Sequence, residues 1–402
     1  MDYSENRIAD YTADPTISRG SIDVPFLLLT LLLLTVGVVM VLSASFARAY
    51  YSESTHHSAT YFFSRQLFFA ISGVAIMIVA SRFPIGFYRR FSGVILLFAL
   101  VMLLLVLVGG VKANGARRWF SIGSITFQPS EIAKIGVILF DAQLICRFKG
   151  KMGTFKYGVL PFGIVAALVI GLLILEPHLS ASIIIILITA TMMFIGGTRL
   201  LWFLFGGGVV AMGGLLAVSL LHYSSERITA WRDPFADTSD TGYQIIQSLY
   251  AIGSGGLSGL GLGNSRQKYL YLPEEHNDFI FSVVCEELGF IGAGLILILF
   301  ALLICRGFWL AMHCRDRYSF LVCSGVTALL AFQVILNVAV VTNLIPCTGI
   351  SLPFFSYGGT ALWLQLAEMG VILSISREIP EKKFFRERSA VKPKQAPKEA
   401  GI

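Results

Sequence analysis

Residues 24–42 read VPFLLLTLLLLTVGVVMVL, and residues 91–108 read FSGVILLFALVMLLLVLV; neither run holds a charge. A helix crossing bilayer hydrocarbon needs about 20 such residues. Similar runs recur along the chain and place ten spans near 24–44, 61–81, 91–109, 130–147, 158–175, 179–196, 200–221, 279–304, 319–342 and 355–376. The predicted fold is an all-α polytopic membrane protein. Composition agrees, because only 14% of the 402 residues are charged while 55% are hydrophobic, with a mean hydropathy of +0.75. A water-soluble domain carries about 25% charged residues. That excludes a soluble enzyme, a disordered chain and a secreted disulfide scaffold, and it disfavours the short alternating strands of an outer-membrane barrel.

The net charge of +7 is distributed unevenly. With ten spans both termini share one side, and placing them inside puts 21 of the 31 Lys and Arg residues in cytoplasmic segments against eight outside. The excess of basic residues on cytoplasmic loops therefore sets both termini in the cytoplasm. Residues 1–23 form a polar tail, 24–376 the membrane domain, and 377–402 a basic tail suited to anionic lipid. Ala47-Arg48-Ala49 follows an apolar run longer than that of a signal peptide, so no cleavage is expected. Of six cysteines only Cys347 falls outside, which leaves no outer disulfide within one chain and no metal-site spacing.

The outer face carries the chemistry. A stretch of more than fifty residues, 222–278, joins spans 7 and 8, and outer loops of that length are usually functional. It contains Arg227, then GYQIIQSLYAIGSGG (242–256), further glycines at 259, 261 and 263, and LPEEHNDFIF (272–281). The glycines suit either tight turns or close backbone approach to a substrate. Asp278 stands at the start of span 8, where it suits both an N-cap and a reactive carboxylate. After span 3 comes NGARRW (114–119), whose paired arginines beside Trp119 fit an interfacial belt or an anion site. Six ionisable residues fall in or near spans: Glu131, Lys134, Asp141, Glu286, Glu287 and Glu368. Such groups point to a site or pair with one another, as the i,i+3 neighbours Glu131 and Lys134 can. Asp278, Ser282 and Glu286 recur at i,i+4 and form a polar stripe expected to face the interior or a wet cavity. Prolines and glycines in 346–359 break helix before the last span, and such backbone must line a cavity or pack on protein.

Together NGARRW, QPSE (128–131), GYQIIQSLYAIGSGG, LPEEHNDFIF, EELG (286–289) and LPFFSYGG (352–359) resemble the SEDS family of shape, elongation, division and sporulation proteins. GLGLGNSRQK (259–268) and the HNDFIF form look nearest to its FtsW and SpoVE branch. The resemblance implies a peptidoglycan glycosyltransferase that polymerises lipid II on the outer face of the bacterial cytoplasmic membrane. It also implies a class B penicillin-binding protein and other division proteins as partners, and no nucleic acid. A lipid II flippase and a scaffold for the penicillin-binding protein are the alternatives. The family's essential aspartate falls on Asp278, implied as catalytic. Substrate binding is expected from Arg117, Arg118, Trp119, Lys134, Arg227, Glu274, His276, Gln247, Ser248, Ser356 and Tyr357. Some division members carry a lysine where this chain has Thr348, so that role does not transfer. No dedicated cofactor is expected; a divalent cation, Mg or Mn, bridging phosphates would suit a pyrophosphate leaving group.

Overall fold

All ten apolar runs become helices in the computed structural model, which describes residues 20–379 except 114, 115, 124, 221 and 237–240. Most of both predicted tails, and Asn114-Gly115 of the first outer motif, lie outside the described residues. The helices are α1 (Val24–Tyr51), α2 (Tyr61–Ala80), α3 (Ile85–Gly109), α4 (Pro129–Phe148), a short α5 (Phe155–Gly158), α6 (Leu160–Leu175), α7 (Leu179–Gly196), α8 (Leu200–Leu220), α9 (His222–Arg232), α10 (Thr241–Gly255), α11 (Ile280–Met312), α12 (Arg317–Val341) and α13 (Gly359–Ser376). Among the described residues, eight helices are long and apolar enough to span a membrane. Of the two remaining predicted spans, α4 carries Glu131, Lys134, Asp141 and Arg147 in a largely buried helix packed against α3, α7 and α12. The apolar run of α8 is described over Leu200–Gly213.

Local chemistry starts several of these helices. Asp23 caps α1 by accepting from Phe26 N at 2.9 Å, with Pro25 in the first turn, where a missing N–H is no loss. The same carboxylate takes Arg306 Nε at 3.0 Å and Nη2 at 2.5 Å from α11. Asp316 caps α12 in the same way, accepting from Tyr318 and Ser319 amides. Helix α2 packs on α13, and α12 sits deep in the bundle against α4, α7 and α11. Gly37 lets α1 touch the last outer loop, because a Cβ there would lie 2.3 Å from Phe354 O. Gly37→Ala is therefore expected to lower stability by about 1–3 kcal/mol, as overpacking does. A lowered thermal midpoint of the detergent-purified protein would report it.

The expected helical membrane fold holds, with two additions. Between α3 and α4 lies a three-stranded antiparallel sheet, β1 (Val111–Ala113), β2 (Ala116–Ile122) and β3 (Ile125–Phe127). Branched and aromatic residues at 119–127 suit a short ribbon, and Gly123, at φ +62°, suits the turn between β2 and β3. Secondly, the 222–278 stretch is not mere loop, since α9 and α10 occupy much of it. Two of its glycines, Gly255 and Gly259, approach the protein's own backbone. A Cβ on Gly255 would lie 2.0 Å from Cys285 O, and one on Gly259 2.2 Å from Glu287 O.

Candidate active site

One end of the bundle opens into a cavity of about 720 Å³. Its walls come from the ends of α2, α4, α7 and α13, from Gln333 of α12, Arg227 of α9 and Gln244 of α10, from residues 274–279 just before α11, and from β2, β3 and the 346–359 segment. Irregular backbone in that segment thus lines a cavity, as required of broken helix near a membrane.

Asp278 faces this cavity, and it is not a cap. Phe279 occupies the N-cap position of α11, with no side-chain cap bond, while residues 274–279 wind through turns in which Asn277 N and Phe279 N both donate to Glu274 O. The Asp278 backbone is fixed by Asn337 of α12, whose Nδ2 donates to Asp278 O at 2.8 Å and to Ile350 O at 2.7 Å. Ser356 Oγ donates to Asn277 O at 2.8 Å, and Tyr357 N to His276 O at 2.8 Å. Gly349, at φ +70°, passes so near that a Cβ would lie 3.0 Å from Asp278 Oδ2. Burial, then the neighbouring Glu274, pushes the Asp278 carboxyl up to about 6, against the opposing pull of Arg227, Arg118 and His276. A carboxylate poised near neutrality is suited to accept a proton.

Cations surround it. Arg118 reaches the cavity by an irregularity in the sheet: Lys112 pairs with Arg117 and Val111 with Trp119, so Arg118 is the extra residue of a bulge. Bulges re-aim side chains, and here both Arg118 and Trp119 line the cavity although they are neighbours on a strand. Arg118 Nε donates to Glu176 O at 3.2 Å and Nη2 to Pro177 O, bracing the turn between α6 and α7. Arg227 Nη1 donates to Cys347 O at 2.7 Å. Lys134 pairs with Glu131 at 2.6 Å, and both residues also line the cavity, so the pairing and the site coexist.

Behind the loop, Arg48 from the end of α1 holds the buried Glu275 through two bonds, Nε at 2.7 Å and Nη2 at 2.9 Å. Burial raises the Glu275 carboxyl, but His276 and Arg48 outweigh that and hold it below its ordinary range. Arg48→Ala would strand this carboxylate. The expected loss is on the order of 2 kcal/mol, below the range for fully buried pairs because the Arg48 side chain is 34% exposed. Thermal unfolding should show that Arg48→Ala combined with Glu275→Gln is less destabilised than Arg48→Ala alone.

Known proteins share this sequence and fold. The FtsW/RodA/SpoVE family model, described as a cell cycle protein, matches residues 24–381. The chain belongs to the FtsW/RodA/SpoVE family. It is 40% identical over 365 residues to stage V sporulation protein E of Bacillus subtilis (strain 168), covering 90% of this chain and 99% of that one. Identity is 39% over 358 residues, 88% of this chain and 93% of the other, to a probable peptidoglycan glycosyltransferase FtsW of Trichlorobacter lovleyi. Among solved structures it resembles a chain described under "Structural coordination of polymerization and crosslinking by a peptidoglycan synthase complex", with TM-score 0.72 and 29% identity over 89% of this chain and 98% of that one. The rod shape determining protein RodA of Thermus thermophilus matches with TM-score 0.66 and 28% identity over 90% and 98% of the two chains. This FtsW/RodA/SpoVE protein is accordingly a multi-pass bacterial membrane protein.

Seven of the expected binding residues of this family member line the cavity with Asp278: Arg118, Trp119, Lys134, Arg227, Glu274, Ser356 and Tyr357. Four do not. Arg117 points away on the exposed face of the ribbon, where its Nη1 contacts the carbonyls of Leu107 and Val108. His276 is buried behind the loop, its ring 4.6 Å from that of Phe62 and 5.7 Å from that of Tyr357. Ser248 is consumed by Ser282 Oγ and Val341 O, both at 2.7 Å. Gln247 is turned off the cavity, and Gln244, one helical turn earlier, lines it instead. The polar stripe divides too, because Ser282 meets α10 and Glu286 meets residues 254–267, leaving Asp278 alone in the cavity. Sequence reading passed over His178, which lines the cavity with its Nδ1 unpartnered, and Arg65 of α2. Burial, then Arg118 and Lys134, drives the His178 imidazolium down to about 3, so the ring is neutral. An Arg inside a predicted span and a His in a short turn were the available signals.

Proposed function

We propose that this protein is a peptidoglycan glycosyltransferase that polymerises lipid II, with the cavity opening on the outer face of the membrane. The single observation that carries the reading is Asp278, a half-buried carboxylate that lines a cation-lined cavity and is backed by Gly349. In this reaction the 4-hydroxyl of an acceptor sugar attacks the anomeric carbon of a donor. The new C–O bond forms as the bond to the polyprenyl pyrophosphate breaks, the hydroxyl proton passes to Asp278, and the anomeric configuration inverts. Glycosidases add a carboxylic acid to protonate the leaving oxygen. Pyrophosphate departs as a stable anion, so fixed cations such as Arg118, Arg227 and Lys134 suffice. The cavity lies among membrane helix ends, which lets long polyprenyl tails stay in lipid.

Mg²⁺ or Mn²⁺ commonly binds through one or two carboxylates plus substrate phosphates. Glu274 lines the cavity and would fit that donor set beside the substrate phosphates, and the ion would supply charge neutralisation at the pyrophosphate. Among the described residues no group of three His, Cys, Asp or Glu side chains forms a dedicated cage. A class B penicillin-binding protein is the proposed partner, a reading supported by the likeness to a chain of a peptidoglycan synthase complex. Division or sporulation is the proposed setting, on the similarity to FtsW and stage V sporulation protein E. The test is product linkage. Purified protein with its partner and fluorescent lipid II should yield strands that a β-1,4-specific muramidase digests. Transbilayer movement of lipid II without polymer would favour the flippase instead.

A further inference from the structure

Helix α11 is broken at Gly289, which adopts φ +66° and ψ −172°. A break of this kind strips carbonyls before it and amides after it of their intrahelical partners. Here two of those carbonyls and two of those amides are taken by one segment of the outer chain. Leu260 N donates to Glu286 O and Gly261 N to Glu287 O, each at 3.0 Å, while Phe290 N donates to Gly256 O at 2.9 Å and Ile291 N to Leu257 O at 3.1 Å. A Cβ on Gly289 would lie 2.2 Å from Gly259 N, so the contact is backbone on backbone.

The side chains repeat the connection. Glu286 accepts from Arg266 N at 2.9 Å, Gln267 N and Ser254 Oγ at 3.3 Å, and from Ser265 Oγ. Glu287 accepts from Lys268 Nζ at 3.0 Å, Ser265 N at 3.3 Å and Ser43 Oγ of α1 at 2.6 Å. Lys268 also donates to Gly263 O at 2.5 Å and is only 2% exposed. None of these three charged residues lines the cavity. A buried ion pair adds little net stability over a well-packed apolar group, and its best-attested use is to fix register. Residues 280–288 therefore form a short rod tied at its far end to residues 254–268 and at its near end, beside Asp278, by Asn337 and Ser356.

We propose that Lys268, Glu286 and Glu287 are positioning residues for Asp278, holding the rod of residues 280–288 at a fixed angle to residues 290–312. The proposal rests on the reading of Asp278 as the base. From Glu286 to Asp278 is roughly 12 Å at 1.5 Å per residue, so a tilt of about 5° displaces the reacting end by about 1 Å. A misplacement of that size is enough to slow a reaction by about 10²-fold.

Full-length Lys268→Met, Glu287→Gln and Lys268→Arg, purified with the partner protein, test this by kcat and KM for glycan formation and by hydrogen exchange of amides 280–288. The first two are expected to lose at least 10-fold in kcat with KM within twofold, and to exchange faster at 280–288 but not at 300–312. Lys268→Arg should recover kcat to within about threefold of wild type, because the charge is kept. Unchanged exchange at 280–288, or faster exchange with kcat within twofold of wild type, would overturn the proposal. Ser43→Ala, which removes one donor to Glu287 and leaves no new charge, serves if Lys268→Met does not fold; it should lose about threefold in kcat with the same exchange pattern, and its absence overturns the proposal equally. A wild-type protein that makes no glycan would instead refute the functional reading, and the exchange result alone would then decide whether the rod is held.

Discussion

Asp278→Asn is expected to lower glycan polymerisation by about 10²–10⁴-fold, the span typical of a lost general base. The substitution keeps the shape and removes the proton acceptor. Folding should not suffer. The carboxyl binds its proton more tightly in the folded protein, at about 6, than at the ordinary 3.8, because burial and Glu274 disfavour the charge. Ionised Asp278 thus opposes folding above pH 6 by on the order of 3 kcal/mol. That opposition fades as pH falls from 6 towards 3.8, so the asparagine variant should unfold at an equal or higher temperature at pH 7.5. Activity has the opposite pH dependence. At limiting substrate the wild-type rate should rise with pH through about 6 and level above it. Arg227→Ala, which removes a cation that favours the carboxylate, should move this limb to higher pH.

Arg118→Ala should reduce turnover by about 10²–10³-fold, the range seen when one preorganised donor to a developing anion is removed. Two effects combine in it. The cavity loses a guanidinium where the pyrophosphate is proposed to form, and the Glu176–Pro177 turn loses two donors that place His178 and Ser180 on the wall. Lysine restores charge but not the fork that braces two carbonyls, so Arg118→Lys should recover only part of the rate. Arg117→Ala provides the contrast: its contacts are with the end of α3 outside the cavity, and less than a threefold change is expected. Steady-state rates of strand formation for the three variants check the ordering.

The spans were legible because hydrocarbon imposes one requirement on all of them, an uninterrupted apolar run. Helix α4 was legible in spite of its charges, since Pro129 and the run 135–140 mark it. The ribbon between α3 and α4 left a weaker trace, because two of its three strands are three residues long and have almost no period to detect. For the site, Asp278, Arg118 and Lys134 were reachable from residue type and family motif. Gln247 and Ser248 share a face of α10 with Gln244, but residue type does not reveal how far along that face the cavity reaches; Gln244, one turn earlier, lines it, and Ser248 is spent on α12. The glycines of 253–263 were ambiguous for a related reason. Close backbone approach has the same signature whether the neighbour is a substrate or, as at Gly259, the broken helix α11.

The most direct test of Asp278 as the base is the formation of glycan from fluorescent lipid II by the purified chain and its partner in vesicles, wild type against Asp278→Asn at matched protein. Wild type should produce a ladder of strands with one polyprenyl pyrophosphate released per bond, and the variant should form strands at least about 10²-fold more slowly while its thermal midpoint is no lower and its lipid II binding is retained. Strand formation by Asp278→Asn at the wild-type rate would contradict the account.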